Sequence, residues 1–220
     1  PEYSPTDHGS GMRATVLAAL CLVALAAPAW ARPVSYPGGV TAITTNDGLA
    51  NAALLHYTPN PHWALGYRLE HRRESGANLH LGQVNALLHR WNAQGWQANW
   101  YLKTGFGAAH QDGNTAPAGF AGMALDWENR RCFASYENRG LWVGQDTEHS
   151  FSQKVRTGIA PYVAEYGALH TWLMLEVTHA PGSEHTWRAT PMVRLFRGTA
   201  MVEAGMDTRG DILLNAAWRF

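Results

Sequence analysis

The chain of 220 residues has little charge, little cysteine, and no long apolar run after residue 31. Charged residues make up 15% of it, against roughly 25% in soluble domains. The 17 basic and 17 acidic residues balance, which excludes the strong basic excess expected of a nucleic-acid partner. Cys21 lies in a segment that we expect to be removed. The remaining Cys132 can form neither an intramolecular disulfide nor a cysteine-based zinc site.

Tryptophan and glycine are abundant instead, with 10 Trp and 22 Gly, and the mean hydropathy is −0.26. Beyond residue 31 no run reaches the length of about 18 apolar residues that a transmembrane helix needs. Low charge, frequent Trp and Gly, and the lack of a long apolar run are together typical of a transmembrane β-barrel.

Residues 12–31 have the three parts of a secretory signal peptide. Met12 and Arg13 form the charged start, an apolar stretch follows, and Ala29-Trp30-Ala31 is a small-residue cleavage site. We therefore expect a mature chain from about Arg32. The predicted organisation is an upstream extension or cloning remnant over 1–11, a signal peptide over 12–31 and one barrel domain over 32–220. A lipoprotein signal ending at Cys21 is the alternative interpretation of the leader.

From Val40 onward apolar and polar residues alternate with the period of two that indicates β-strands. The segment 96–109 shows this clearly, with Trp96, Trp100 and Phe106 on one face and Lys103 on the other. A bulge is expected between Val84 and His89, where the phase changes. Twelve segments are predicted, near 39–46, 49–58, 62–72, 78–91, 96–109, 117–128, 130–140, 151–163, 168–179, 185–197, 198–206 and 211–220.

This pattern predicts an all-β fold, a single closed antiparallel transmembrane barrel of about twelve strands, with ten strands as the alternative. Several segments are long enough to cross a membrane as tilted strands of roughly 9–11 residues. The apolar face carries most of the Trp and Leu, which inverts the arrangement of a soluble barrel. A soluble periplasmic lipocalin-like binding barrel is the remaining alternative fold.

An even strand number places both termini in the periplasm, with longer connections outside and tight turns inside. The longer connections are expected near 73–77, 110–116, 141–150 and 180–184. Five tryptophans near strand ends are expected to form girdles at the two membrane interfaces. They are Trp63, Trp96, Trp127, Trp187 and Trp218.

The last residues, Ile212 to Phe220, resemble the C-terminal signature of bacterial outer-membrane barrels. In that family a final aromatic residue follows alternating apolar positions, and the barrel-assembly machinery binds this strand. The resemblance implies that Trp218 and Phe220 are an assembly signal and that outer-membrane lipid surrounds the barrel. The stretches 158–163, 169–175 and 191–196 also resemble a group of small proteobacterial outer-membrane proteins associated with heavy-metal resistance loci.

Charged side chains fall on the inward faces of the predicted strands, where cross-strand ion pairs would satisfy them. Two interpretations stay open: a polar plug that fills a narrow barrel, or a lumen that passes or binds a small ion or solute. The predicted network contains Arg68, Glu70, Lys103, Asp126, Glu128, Arg131, Glu137, Arg139, Arg156, His170, Glu176, Arg188, Arg194 and Arg219.

Histidine is the other candidate chemistry, because imidazole binds copper, zinc and nickel. No HExxH spacing or His-x-His pair is present. The candidates that could converge in external loops are His71, His110, His149, His179 and His185.

The sequence predicts a non-enzymatic, channel-like or structural outer-membrane barrel without a cofactor, linked to metal stress through the resemblance. The alternative from another class is an interfacial enzyme, a phospholipid or lipid A hydrolase or acyltransferase. His149 and Ser150 lie together near an external rim, but neighbours on a strand point to opposite faces. No Gly-x-Ser-x-Gly motif supports a nucleophile.

Overall fold

The computed structural model describes residues 32–144, 148–165 and 167–220. The predicted extension over 1–11 and signal peptide over 12–31 lie outside the described residues. Across the described part of the chain, no helix has the length and apolar character needed to cross a membrane.

Twelve strands make up the fold, which confirms the predicted number over the alternative of ten. They are β1 (Val40–Asn46), β2 (Ala50–Asn60), β3 (Trp63–Arg72), β4 (Asn78–Ala93), β5 (Trp96–Gln111), β6 (Asn114–Asn129), β7 (Cys132–Val143), β8 (Glu148–Ile159), β9 (His170–His179), β10 (Trp187–Arg197), β11 (Ala200–Met206) and β12 (Ile212–Arg219).

Each strand pairs antiparallel with the next one, and β12 pairs with β1 to close the barrel. In this seam Thr41 lies opposite Arg219, and Thr44 lies opposite Ala216. Closure leaves no strand at the edge of the sheet, as a lipid environment requires. The expected bulge is confirmed by a register shift between Leu87 and His89 where β4 pairs with β5.

Alternation decides which side chains face outward. On β2 Leu55 and Tyr57 are exposed, whereas Leu54 and His56, which alternate with them, are buried. Exposed large apolar side chains occur in this way on every strand except β1 and β7. Buried carboxylates such as Glu70 lie inside. The structure is therefore a transmembrane barrel with an apolar exterior and a charged interior.

The connections divide between two ends of the barrel. Those after odd-numbered strands, beginning with Asp47, lie at what we name the Asp47 end. Those after even-numbered strands lie at the Phe220 end, with the start of β1 and the finish of β12. Connections at the Asp47 end include 73–77 and 180–186, but 112–113 is shorter than expected.

The longest described connection, 160–169, lies at the Phe220 end, where only tight turns were expected. Strand β8 stops at Ile159 and does not continue to residue 163. Pro161 has no N–H for the sheet, so pairing ends before it. The hydroxyl of Tyr162 then donates to the Leu169 carbonyl at 2.9 Å, and this hydrogen bond connects the beginning of the segment to its end.

The five girdle tryptophans are all exposed, but they divide unequally between the ends. Trp187 begins β10 at the Asp47 end, whereas the other four lie at the Phe220 end. The expected girdles are therefore uneven for these residues, with four tryptophans at the Phe220 end and one at the Asp47 end.

Candidate functional site

The predicted lumen residues all face the interior except Arg131. Arg131 lies in the turn after β6, is exposed, and donates to the Pro161 carbonyl at 3.5 Å. A turn residue escapes the strand alternation from which its direction was predicted. His170 faces inward but stacks on the Phe196 ring at 4.7 Å and makes no ion pair that the structure describes.

One centre of the charge network is Glu70 on β3, which is 2% exposed. Arg68 Nε lies 2.7 Å from Glu70 Oε2, and Arg139 Nη1 lies 2.8 Å from it. Arg72 Nη1 lies 3.7 Å from Glu70 Oε1. Arg139 comes from β7, which is not adjacent to β3, so its side chain crosses the lumen. Three guanidinium groups thus surround one carboxylate and leave local positive charge.

The second centre lies on β8 to β11. Arg156 Nε binds Glu176 Oε2 at 2.5 Å, and Arg156 Nη1 lies 3.3 Å from Glu203 Oε2. Arg194 Nη2 lies 2.7 Å from Glu203 Oε1. Lys154 Nζ lies 3.8 Å from Glu176 Oε1. The numbers of cations and carboxylates are nearly equal here, whereas around Glu70 three cations share one carboxylate.

Lys103 of β5 and Glu137 of β7 form an ion pair that passes over β6. Gly122 lies on the strand between them and has no side chain to separate them. A Cβ at this position would approach the Asn138 carbonyl oxygen to 2.0 Å, so the close approach of β6 and β7 requires glycine.

Sequence reasoning missed several members of the network. Lys154 and Glu203 have the same inward phase as predicted residues and could have been found by extending the alternation. Arg72 shares the face of Arg68 and Glu70. Asp47 lies in a turn, so only the folded barrel shows that its Oδ2 atom is 3.3 Å from Lys154 Nζ.

These side chains line a cavity of about 230 Å³ in the lumen toward the Asp47 end. Six cations and three carboxylates form its wall: Arg68, Arg72, Lys103, Arg139, Lys154, Arg156, Asp47, Glu137 and Glu203. With the buried Glu70 and Glu176 behind the wall, and Arg194 on Glu203, seven cations face five carboxylates.

A second cavity of about 200 Å³ adjoins the first and shares Leu49, Arg72 and Ser152 with it. Its other walls come from β8 and from the 73–77 and 180–186 connections. It forms a mouth from the Asp47 end into the charged cavity.

Asp47 lies at this mouth. Its Oδ1 atom accepts the backbone N–H of Leu49 at 2.8 Å and of Ala50 at 3.0 Å. Burial alone would raise the pKa of the Asp47 carboxyl, but Lys154 and the two amides hold that pKa below its ordinary value. The carboxylate is therefore charged at neutral pH and offsets one cation of the wall.

The Phe220 end of the lumen is filled by residues 32–35, which we name the inner segment. Val34 is 1% exposed and packs in a cluster with Ala64, Leu87, Tyr101 and Ala124.

Polar contacts hold the inner segment on both sides of Val34. Arg32 forms an ion pair with Glu128 of β6. Asn85 Nδ2 donates to the Pro33 carbonyl at 2.9 Å, and Ser35 N donates to Thr58 Oγ1 at 3.3 Å. The lumen is thus a cavity with its mouth at the Asp47 end and its other end closed.

The histidines proposed as metal ligands do not converge. His71 binds Asn78, His110 binds Thr115, and His179 stacks on Trp187 at 4.1 Å. His149 and His185 lie on β8 and in the 180–186 connection. Within the described ranges, no three His, Cys, Asp or Glu side chains are grouped as a metal ion would require.

The residues considered for an interfacial enzyme are separated by the strand geometry. Ser150 Oγ lies at the mouth, 3.4 Å from Arg72 Nη2, which donates to it. His149 is the preceding residue of the same strand and is exposed. Adjacent strand residues point to opposite faces, so His149 cannot act as base for Ser150.

No protein-family model matches the chain, and no curated protein matches it. Among solved structures it is similar to a "KdgM porin", with 10% identity, a TM-score of 0.45, and coverage of 83% of this chain and 98% of that one. OccAB4 of Acinetobacter baumannii has 14% identity to this chain and a TM-score of 0.41, and the similarity covers 78% of this chain and 53% of that one. OccK11 (OpdR) of Pseudomonas aeruginosa has 10% identity and a TM-score of 0.41, with coverage of 78% of this chain and 57% of that one.

The chain spans about half the length of the last two proteins. At this level of similarity they indicate neither an activity nor a substrate for this chain.

Proposed function

We propose that the chain is an outer-membrane barrel that admits small anions into its lumen from the Asp47 end. The observation that carries this proposal is the excess of cations over carboxylates around the cavity. With both termini in the periplasm, the Asp47 end faces the outside of the cell. A cavity wall with a net charge in a low-dielectric barrel concentrates ions of the opposite sign.

The excess positive charge is concentrated around Glu70. Arg68, Arg72 and Arg139 share this one carboxylate. A guanidinium group presents several donors in a planar fork that fits carboxylate and phosphate oxygens. Nε and Nη2 of Arg139 are buried without a hydrogen-bond partner in the described structure. An anion in the cavity would supply the charge and the acceptors that this side of the lumen lacks.

The size of the cavity limits the solute. Its volume of about 230 Å³ is below the roughly 300–1,000 Å³ of sites for drug-sized ligands. Inorganic anions and small organic acids fit this volume, whereas a folded peptide or a lipid does not.

The cation excess gives the proposed link to metal stress a specific chemical form. A cation-rich cavity repels metal cations, but it would accept the oxyanion of a metal or metalloid. The resemblance of the sequence supplies the context for this part of the proposal, and the excess cations supply the chemistry.

Ion selectivity in planar bilayers tests the proposal. Measured during the openings in which the inner segment leaves the Phe220 end, the reversal potential in a potassium chloride gradient should show preference for chloride. Arg72→Met combined with Arg139→Met should lower the chloride-to-potassium permeability ratio severalfold, because two wall cations are lost. Arg131→Met removes an exposed turn cation and serves as the matched control.

Preference for potassium in the unmodified protein would contradict the proposal. So would a permeability ratio that is the same in the double variant and the control.

A further inference from the structure

Three inward side chains form a row across the seam that closes the barrel. Thr41 of β1 lies opposite Arg219 of β12 on one side and opposite His56 of β2 on the other. Facing residues of antiparallel strands have Cα atoms about 4.5–5.5 Å apart. The three side chains therefore lie next to one another at the Phe220 end.

This row is buried to an unusual degree for polar residues. Thr41 is 0% exposed, His56 is 1% exposed and Arg219 is 7% exposed. Gly66 of β3 makes room beside His56, since a Cβ there would lie 2.6 Å from the His56 Cβ atom. The inner segment lies between this end of the lumen and solvent.

The polar atoms of the row have no hydrogen-bond partner among the described residues. They are Thr41 Oγ1, both ring nitrogens of His56, and Nε and Nη2 of Arg219. Native structures rarely leave buried polar atoms unsatisfied. Five such atoms on three adjacent residues indicate a shared partner.

The charge of Arg219 identifies the nature of that partner. No described carboxylate lies within ion-pair distance of Arg219. The ionisable groups that act on it are Arg32, Tyr101 and Tyr36, of which Arg32 is a further cation already paired with Glu128. Arginine does not lose its proton in proteins. Water could accept its hydrogen bonds but could not neutralise its charge, and an isolated buried charge is costly.

We propose that Thr41, His56 and Arg219 form a buried binding site for one small monovalent anion, of which chloride is the representative. The guanidinium group, the hydroxyl group and one imidazole N–H all donate, so the site offers donors and positive charge together. One uncompensated cation matches one negative charge. The site is separate from the cation-rich cavity at the Asp47 end and does not depend on whether the barrel conducts ions.

Thermal unfolding of the full chain in detergent tests the site. Chloride replaces gluconate at constant ionic strength. The unfolding midpoint is measured from the different electrophoretic mobilities of the folded and the unfolded barrel. The midpoint should rise with chloride as expected for a ligand that binds only the folded state. Bromide should act in the same way, because it has the same charge and a similar size.

Variants separate this site from the cavity. In an Arg72→Met/Arg139→Met background, which removes the excess cations of the cavity, adding Arg219→Met should abolish the remaining chloride dependence. In gluconate, Arg219→Met should raise the unfolding temperature, because the uncompensated charge is gone. Thr41→Val should raise the chloride concentration that gives half of the stabilisation by about tenfold, as expected for loss of one hydrogen bond to a charged group. Arg72→Met/Arg139→Met in the cavity should retain the chloride dependence.

Crystals grown in bromide give a second measurement that does not depend on stability. An anomalous peak within hydrogen-bond distance of Arg219 supports the site. Chloride dependence that persists when Arg219→Met is added to the Arg72→Met/Arg139→Met background, or the lack of a bromide peak at this row, would overturn the proposal and leave water as the partner of these atoms.

Discussion

At the scale of single residues, Glu70 is the carboxylate on which the Asp47 half of the lumen depends. It is buried, and it holds arginines from two strands that do not pair with each other. Removing one partner of a buried ion pair leaves uncompensated charge, which costs about 3–5 kcal/mol. We expect Glu70→Gln to lower the free energy of unfolding by about this amount, measured by urea titration in detergent.

Glu165→Gln provides the matched control, because Glu165 is exposed in the 160–169 connection. It should change the free energy of unfolding by less than about 0.5 kcal/mol. If both variants unfold at the same urea concentration, Glu70 does not hold the lumen in the way that its contacts indicate.

The network also shows which residue properties can be predicted from sequence. Strand alternation was sufficient to predict that Arg68, Glu70 and Arg139 face inward. It could not predict that Arg139 reaches Glu70, because that contact crosses the lumen and depends on barrel diameter and shear. For the same reason, the Thr41, His56 and Arg219 row was not foreseen, since only the closing register brings the three together.

At the scale of elements, the inner segment has the largest consequence for function. Four residues close the lumen, held by the burial of Val34 and by the ion pair of Arg32 with Glu128. Burial of a valine contributes about 1.5–3 kcal/mol, so its loss should raise the open population roughly ten- to a hundredfold. Arg32→Ser combined with Val34→Ser should therefore increase single-channel open probability.

Val163→Ser is the control for this measurement. Val163 is an exposed apolar residue at the same end of the barrel, and its substitution should leave open probability unchanged. An equally low open probability in the Arg32→Ser/Val34→Ser variant would mean that the inner segment does not obstruct conduction.

The inner segment could not be predicted because it is too short to carry a period. At the turns that contain Asn60 and Gly95, the following strands were predicted to begin within one residue of their observed start, but β2 and β4 were predicted to end two residues early. The predicted boundary was less accurate at Ile159, where Pro161 ends the pairing earlier than the alternation of apolar residues suggests. Local rules of this kind describe hydrogen bonding in neighbouring strands and do not describe a segment that lies across the lumen.

At the scale of the whole molecule, the inverted distribution of apolar and charged residues explains why the architecture could be predicted. Every strand has to repeat the same inward and outward pattern, so an error in one strand does not change the fold. The end at which aromatic residues concentrate was not predictable in this way. It depends on which ends of the strands the tryptophans occupy once all twelve are assembled.

Phe220 belongs to this scale because it lies at the seam that closes the molecule. Its backbone N–H donates to the Val40 carbonyl at 2.9 Å, and Val40 N–H donates to the Phe220 carbonyl at 3.4 Å. The ring is 68% exposed and stacks on Trp218 with a centroid distance of 6.4 Å. Loss of two backbone hydrogen bonds costs about 1–3 kcal/mol, which a closed barrel with eleven other strand pairings should tolerate.

We therefore expect deletion of Phe220 to affect assembly far more than the assembled barrel. The amount of heat-modifiable protein in the outer membrane should fall strongly, whereas barrels refolded in detergent should keep the ion selectivity of the unmodified chain. Phe106→Ala removes an equally exposed ring from the middle of the sheet and should assemble normally. Equal losses for both variants would show that outward aromatic area in general, and not the position of Phe220 at the seam, is what assembly requires.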